Sequence, residues 1–210
     1  MKFMEENKKK FTAIFWDFDG VLMNSNAVRD QGFIEVLKDY PKEQVEQLMV
    51  FHRNNGGLSR YVKFRYFFEE IRGESISDEK IIGWARKFSM IMRQLLVNPD
   101  LLIKETLKYV KKNYKDIPMH IVSGSDQEEL RYLCKEMHID SYFTSIHGSP
   151  KPKTQWVTEI LDEYQYQPES CFLIGDSRND FEAAMDNQMD FMGYNDAQVE
   201  KLSNIKINFS

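Results

Sequence analysis

The sequence predicts an α/β fold: a mainly parallel sheet flanked by helices, with an all-helical insert after the first strand. Three observations carry this. The run Phe11-Thr-Ala-Ile-Phe-Trp16 is short, apolar and rich in aromatic and β-branched residues, as a buried central strand requires. From Asn24 to Leu96 the apolar residues recur with helical spacing and no convincing strand interrupts them. From Pro99 onward, strand-like and helix-like segments alternate, and alternation of that kind implies right-handed crossovers and parallel pairing. The expected division is a core of residues 1–23 and 97–210 around an insert of residues 24–96.

Taken in order, the first strand ends at Asp17-Phe-Asp-Gly20. Breaks at Pro41, at Asn54-Asn55-Gly56-Gly57 and at Gly73 separate the helices of the insert. The spacing then predicts a helix over Asp100 to Lys112, a strand at Met119 to Val122, a helix over Gln127 to Met137 and a strand at Tyr142 to Ile146. A helix over Thr154 to Tyr164, a strand at Cys171 to Ile174, a helix over Asp180 to Asn187 and a short strand near Phe191 complete the alternation. Lys201 to Ser210 is expected to add one short edge strand.

The chain has 210 residues, a hydrophobic share of 42% and a net charge of −5, which suits a globular protein and gives no electrostatic case for nucleic acid. Met1 to Lys10 is charged and lacks the apolar stretch of a signal peptide, and no uncharged run approaches a membrane span. A cytoplasmic protein without membrane attachment is expected, and no protein partner is evident. Cys134 and Cys171 share no metal-type spacing, each reading as a small core side chain, and the four histidines form no recognisable ligand set.

Asp17 and Asp19 are the most informative residues. Two carboxylates one residue apart at the end of a strand repel each other unless a cation or a proton separates them, and the carboxyl ends of such strands are where open α/β sheets bind ligands. The other strand ends lead into Ser123-Gly-Ser-Asp126, Gly148-Ser-Pro-Lys-Pro-Lys153 and Gly175-Asp-Ser-Arg-Asn-Asp180, so four polar loops converge on one edge. Hard oxygen ligands from Asp17, Asp176 and the backbone carbonyl of Asp19, with Asp180 beside them, suit Mg²⁺, which commonly bridges to a phosphate. Ser123 and Gly124 supply a hydroxyl and backbone N–H groups for phosphate oxygens where the loop enters a helix. A lysine, Lys151 or Lys153, would neutralise the remaining charge. A small phosphorylated metabolite is the expected ligand.

In this order, Asp17-Phe-Asp-Gly-Val-Leu22, Ser123, a loop lysine and Gly175-Asp-Ser-Arg-Asn-Asp180 resemble the four motifs of the haloacid dehalogenase-like hydrolase superfamily. With its helical insert, the chain resembles the branch of phosphoglycolate phosphatase and β-phosphoglucomutase, in which a cap closes over a Rossmann-like core. The resemblance implies that Asp17 is the nucleophile and forms an aspartyl-phosphate. It also implies that Asp19 is the general acid and base, that Ser123 and a lysine bind the transferring phosphoryl group, and that Asp176 and Asp180 hold Mg²⁺. Lys151 fits the family's Lys-Pro form, and Lys153 fits the form in which the lysine precedes the following helix.

Within the insert, His52-Arg-Asn-Asn-Gly-Gly-Leu-Ser-Arg60 interrupts the helical pattern with glycines flanked by arginines. A loop of this kind sets specificity in the resembled branch, which makes Arg53, Asn54, Gly57 and Arg60 candidate substrate selectors, because arginine forks suit a carboxylate or a second phosphate. The resemblance favours a phosphatase. A phosphomutase keeps the same four motifs, and a non-catalytic binding protein would ordinarily show a damaged acidic set.

Overall fold

The computed structural model describes residues 11–209; Met1 to Lys10 lies outside the described residues. Five strands pair in parallel in the order β3-β2-β1-β4-β5: β1 (Ala13–Trp16), β2 (Met119–Asp126), β3 (Ser145–Ser149), β4 (Cys171–Gly175) and β5 (Asp190–Gly193). The first strand is central because all four of its residues are apolar and buried on both faces. Ile14 and Trp16 point to one side with Ile121, Phe172 and Ile174. Ala13 and Phe15 point to the other with Val122 and Leu173. The chain steps from β1 through β2 to β3 on one side, then crosses back to β4 on the other. The topological switch between β1 and β4 opens a crevice at their carboxyl ends.

Helices cover both faces. On the Phe15 side, α7 (Lys153–Glu163) and α8 (Arg178–Asp186) bury Val157, Ile160, Leu161, Ala183 and Ala184, with the short α9 (Ala197–Glu200) adding Val199. On the Trp16 side lie α5 (Lys104–Asn113) and α6 (Gln127–Glu136), contributing Leu107, Val110, Leu130 and Leu133. The apolar cluster on this side runs on without a break into the insert, through Phe33, Phe64, Phe67, Phe88 and Met92.

The insert is all-helical: α1 (Asn26–Val36), α2 (Lys42–Asn54), α3 (Arg60–Tyr66) continuing into a π-helical turn at Phe67–Ile71, and α4 (Asp78–Leu96). Ser59 and Ser77 cap α3 and α4 by accepting from backbone N–H groups. The aromatic stripe of α3 is core: Phe64 packs on Phe33 at 5.3 Å and on Trp84 at 6.2 Å. Chain exit and re-entry lie side by side. Asn24 N–H donates to Leu101 (2.7 Å) and Ile103 N–H to Leu22 (3.0 Å), making a narrow backbone neck.

Two expectations need correction. Asp140–Tyr142 forms a 3₁₀ turn, closed by Phe143 N–H on the Asp140 carbonyl, so β3 starts at Ser145 and not at Tyr142. Tyr142 instead packs edge-on against Tyr114. No strand forms over the described residues 201–209. The β5 edge is covered by side chains, with Ser203 Oγ accepting from Gly193 N–H and Asn204 Oδ1 from Phe191 N–H, both at 2.8 Å. Both cysteines are buried and free, and no helix among the described residues is long and apolar enough to cross a membrane.

Candidate active site

The crevice at the switch point collects the acids. Asp17 follows β1 directly, its N–H bonded to the Ile174 carbonyl at 2.9 Å, and is 3% exposed. Gly20 then turns the chain with φ of +74°, and a Cβ there would overlap the Asp176 carboxylate, so both the conformation and the space demand glycine. Asp176 follows β4 and accepts from Asn26 of α1 at 2.9 Å. Asp180 sits one turn into α8, where its Oδ2 accepts from the Ser177 N–H (3.0 Å) and hydroxyl (2.6 Å) in a capping box. Oxygens of Asp17, Asp176 and Asp180 lie within 4.8 Å of one another.

The cluster is electrostatically loaded. Burial, and after it the charge of Asp180, holds the Asp17 carboxyl well above the usual carboxylate range, and burial with Asp180 pushes Asp176 to about 7. Lys153 opens α7, where helical side chains lean toward the N-terminus and hence into the crevice. Its Nζ donates to Asp17 Oδ1 at 2.9 Å and to Asp180 Oδ1. Against its own burial, the two carboxylates raise the lysine's pKa and keep it charged. Lys151 does not reach the cluster. It pairs with Glu159 at 2.6 Å and lies 3.7 Å over the Trp156 ring.

Asp19 turns away from the three clustered acids. Its Oδ1 accepts from Arg29 Nε of α1 at 2.5 Å and from the Ser25 hydroxyl, and its Oδ2 from the Ser125 hydroxyl at 2.5 Å. Its burial would raise the pKa, but Arg29 and the two serines outweigh that and lower it. Ser123, 1% exposed, ends the regular part of β2, and its Oγ accepts from Ser125 N–H at 3.1 Å. Where β2 passes Ser123 to Ser125 the register with β3 shifts between Val122 and Asp126, which frees these groups from the ladder.

The insert closes over this edge and leaves a cavity of about 670 Å³ between insert and core. Its loop touches the core backbone: a Cβ on Gly124 would overlap the Gly57 carbonyl, and one on Gly57 would come within 2.6 Å of Ser177 Oγ. Both glycines thus permit close approach of insert and core. Arg53 and Asn54 line the cavity; Arg53 Nε pairs with Asp30 at 2.8 Å. Arg60 also lines it, but its fork is taken by Glu129 of α6 (2.6 and 2.8 Å) and by Ser89. Glu129 accepts from Arg29 Nη1 as well, at 2.9 Å.

Arg29, Glu129, Lys63, Ser25 and Ser125 escaped the sequence reading. Glu129 falls there within the expected helix over Gln127 to Met137, and in the structure its N–H donates to Asp126 Oδ1 at 3.0 Å, so that Asp126 caps α6. Arg29 carries no distinguishing sequence signal: it is followed directly by Asp30 in a helix of mixed polar and apolar residues.

The sequence pattern of the haloacid dehalogenase-like hydrolases matches residues 14–194. The chain is 25% identical to a phosphoglycolate phosphatase from Mannheimia succiniciproducens, covering 83% of this chain and 81% of the relative. It is also 25% identical to a phosphorylated carbohydrates phosphatase from Thermotoga maritima, covering 82% and 79%. In fold it is similar to β-phosphoglucomutase from Clostridium difficile, with a TM-score of 0.73 at 15% identity over 94% of this chain and 91% of that one.

Proposed function

Since the chain belongs to the haloacid dehalogenase-like hydrolase family, we propose that it is a phosphatase that hydrolyses the monoester of a small phosphorylated metabolite through an aspartyl-phosphate, with residues 24–96 acting as the cap. One observation carries the reading: Asp17, Asp176, Asp180 and Lys153 meet at the β1–β4 switch point, and Asp17 and Asp176 line a cavity sized for a metabolite. The phosphatase relatives support the reaction class.

The donor set fits a divalent cation. The buried acids exceed the charge that Lys153 supplies, and the raised pKa values of Asp17 and Asp176 mark that excess. Asp17, Asp176 and the Asp19 carbonyl would hold Mg²⁺ with Asp180 beside it, and the ion supplies charge neutralisation for an anionic nucleophile meeting an anionic ester.

An Asp17 oxygen attacks phosphorus as the bond from phosphorus to the ester oxygen breaks, and a proton passes from Asp19 to the leaving alkoxide. Water then attacks the phosphorus of the acyl phosphate, Asp19 takes the water proton, and free phosphate and the Asp17 carboxylate are restored. Ser123, the Gly124 N–H and Lys153 hold the phosphoryl oxygens in both steps. Arg29 keeps Asp19 ionised in the arrangement seen here, which suits the second step. The acid role requires the Arg29–Asp19 pair to part, and since Arg29 belongs to the insert, a shift of the insert would be needed to release it.

Purified protein with Mg²⁺ should hydrolyse a generic aryl phosphate. Changing Asp17→Asn should lower turnover by at least roughly a thousandfold while far-ultraviolet circular dichroism stays unaltered. Retained turnover in that variant removes Asp17 as nucleophile. Release of free phosphate without an isomerised ester from a sugar phosphate separates hydrolysis from mutase action.

A further inference from the structure

The three clustered acids are not held alike. Lys153 bridges Asp17 and Asp180, and Asp180 also accepts from the N–H and hydroxyl of Ser177. Asp176 stands outside that arrangement. Its one side-chain hydrogen bond among the described residues comes from Asn26, the first residue of α1, whose Nδ2 reaches Oδ2 at 2.9 Å across 150 positions of sequence. Asn26 belongs to the insert, just beyond the neck at Asn24. The same carboxylate oxygen is pressed against bare backbone: a Cβ on Gly20 would fall 1.8 Å from Asp176 Oδ2 and 3.0 Å from Asn26 Nδ2. Gly20 is itself fixed, its N–H donating to the Met23 carbonyl at 2.7 Å and its carbonyl accepting from Asn195 Nδ2 at 3.1 Å. Gly20 supplies packing but no donor, and the last torsion of an aspartate is broad and roughly two-fold. The Asn26 amide is therefore what selects one orientation of this carboxylate.

We propose that Asn26 is a positioning residue for the cation site: the insert contributes its first helical side chain to hold Asp176 Oδ2, so that the carboxylate is presented to the ion in a single orientation. This rests on the reading of Asp17, Asp176 and the Asp19 carbonyl as the ligands of Mg²⁺. Partners that hydrogen-bond a ligating carboxylate set its direction and its affinity for the metal. Mg²⁺ demands near-octahedral ligands at short distance, whereas Ca²⁺ accepts irregular, flexible sets. Loss of the Asn26 donor leaves the number and charge of the ligands unchanged and removes only their alignment, so its effect falls more heavily on Mg²⁺ than on Ca²⁺.

The test titrates metal-free wild type, Asn26→Leu and Asn26→Gln with Mg²⁺ alone and with Ca²⁺ alone in a calorimeter. Asn26→Leu, similar in size but without a donor, should weaken Mg²⁺ binding roughly tenfold and Ca²⁺ binding by a smaller factor. Asn26→Gln, which keeps an amide on a longer arm, should recover part of the loss. In turnover of an aryl phosphate the half-saturating Mg²⁺ concentration should rise by the same factor, with kcat at saturating Mg²⁺ unaltered. The unfolding midpoint of the metal-free protein should stay in place, because Asn26 is exposed. Unchanged Mg²⁺ affinity in Asn26→Leu, equal losses for the two ions, or a kcat lowered at every Mg²⁺ concentration overturns the positioning role and leaves the phosphatase reading intact. If no phosphate ester is turned over, yet Mg²⁺ binding still weakens in Asn26→Leu, the phosphatase reading fails and the role of Asn26 stands. Wild type that binds neither ion defeats the cation reading of the acid cluster, and the role of Asn26 with it.

Discussion

Glu129→Gln is expected to be strongly destabilising although it is isosteric. Its side chain has no solvent exposure, those of Arg60 and Arg29 are 3% and 8% exposed, and three guanidinium N–H groups reach it at 2.6 to 2.9 Å. The amide keeps the shape but removes the charge, and its NH₂ meets donors. Removing one partner of a buried ionic group costs about 3–5 kcal/mol, which in a chain of this size lowers Tm by roughly 6–20 °C. Calorimetric unfolding at pH 7 measures it. Against its burial, Arg60 and Arg29 hold the Glu129 carboxyl below its ordinary value of 4.5. Its stabilisation is therefore complete above that value and is lost as pH falls through the lower folded value, so the gap between variant and wild type narrows in acid. The double replacement Glu129→Leu/Arg60→Met should cost less than the sum of its single changes by about 2 kcal/mol, Arg29 keeping Asp19 as partner. A Glu129→Gln protein within about 1 kcal/mol of wild type would refute the account of this carboxylate as a tie between α6 and the helical insert.

The lysine pair separates cleanly by kinetics. Lys153→Ala should reduce kcat by roughly 100-fold to 1000-fold and Lys151→Ala by less than about threefold, since an exposed ion pair contributes little; comparable losses in both would reject the choice of Lys153. His120 is fully buried between Ser145 Oγ (2.7 Å) and Tyr166 OH (3.3 Å), and burial lowers its pKa to about 4. Because the unfolded chain takes up that proton near 6.5, stability should decline from pH 6.5 toward 4 by up to about 3 kcal/mol. Urea titrations of wild type and His120→Gln across that window should show a shallower slope in the variant, and parallel slopes would exclude His120 as the cause.

The sheet was legible because its signal is local. Ala13–Trp16 is wholly apolar and stops at an acid, and the alternation after Pro99 leaves little freedom of topology. The start of β3 was misplaced because Tyr142 has a strand-like side chain, while a turn closed by the Phe143 N–H on the Asp140 carbonyl decides its backbone. Long-range pairing is what the sequence hides. Arg60 and Glu129 are 69 positions apart and Arg29 and Glu129 are 100 apart. Nothing near Arg60 marks it as an internal ion-pair partner in place of a substrate selector. The choice between Lys151 and Lys153, two positions apart, turned on where α7 begins.

The backbone neck at Leu22–Asn24 and Leu101–Ile103 has a consequence for how this molecule can diversify. Chain departure and return are fixed by two main-chain hydrogen bonds, which are indifferent to side-chain identity. The helices strung between them can be lengthened, reshuffled or exchanged for those of another protein without altering the spacing of the two ends that the sheet perceives. Selection can therefore redraw the residues of the insert while the strand that leads into Asp17 and Asp19 stays where it is, and this neck is the natural junction for chimeras that exchange the insert.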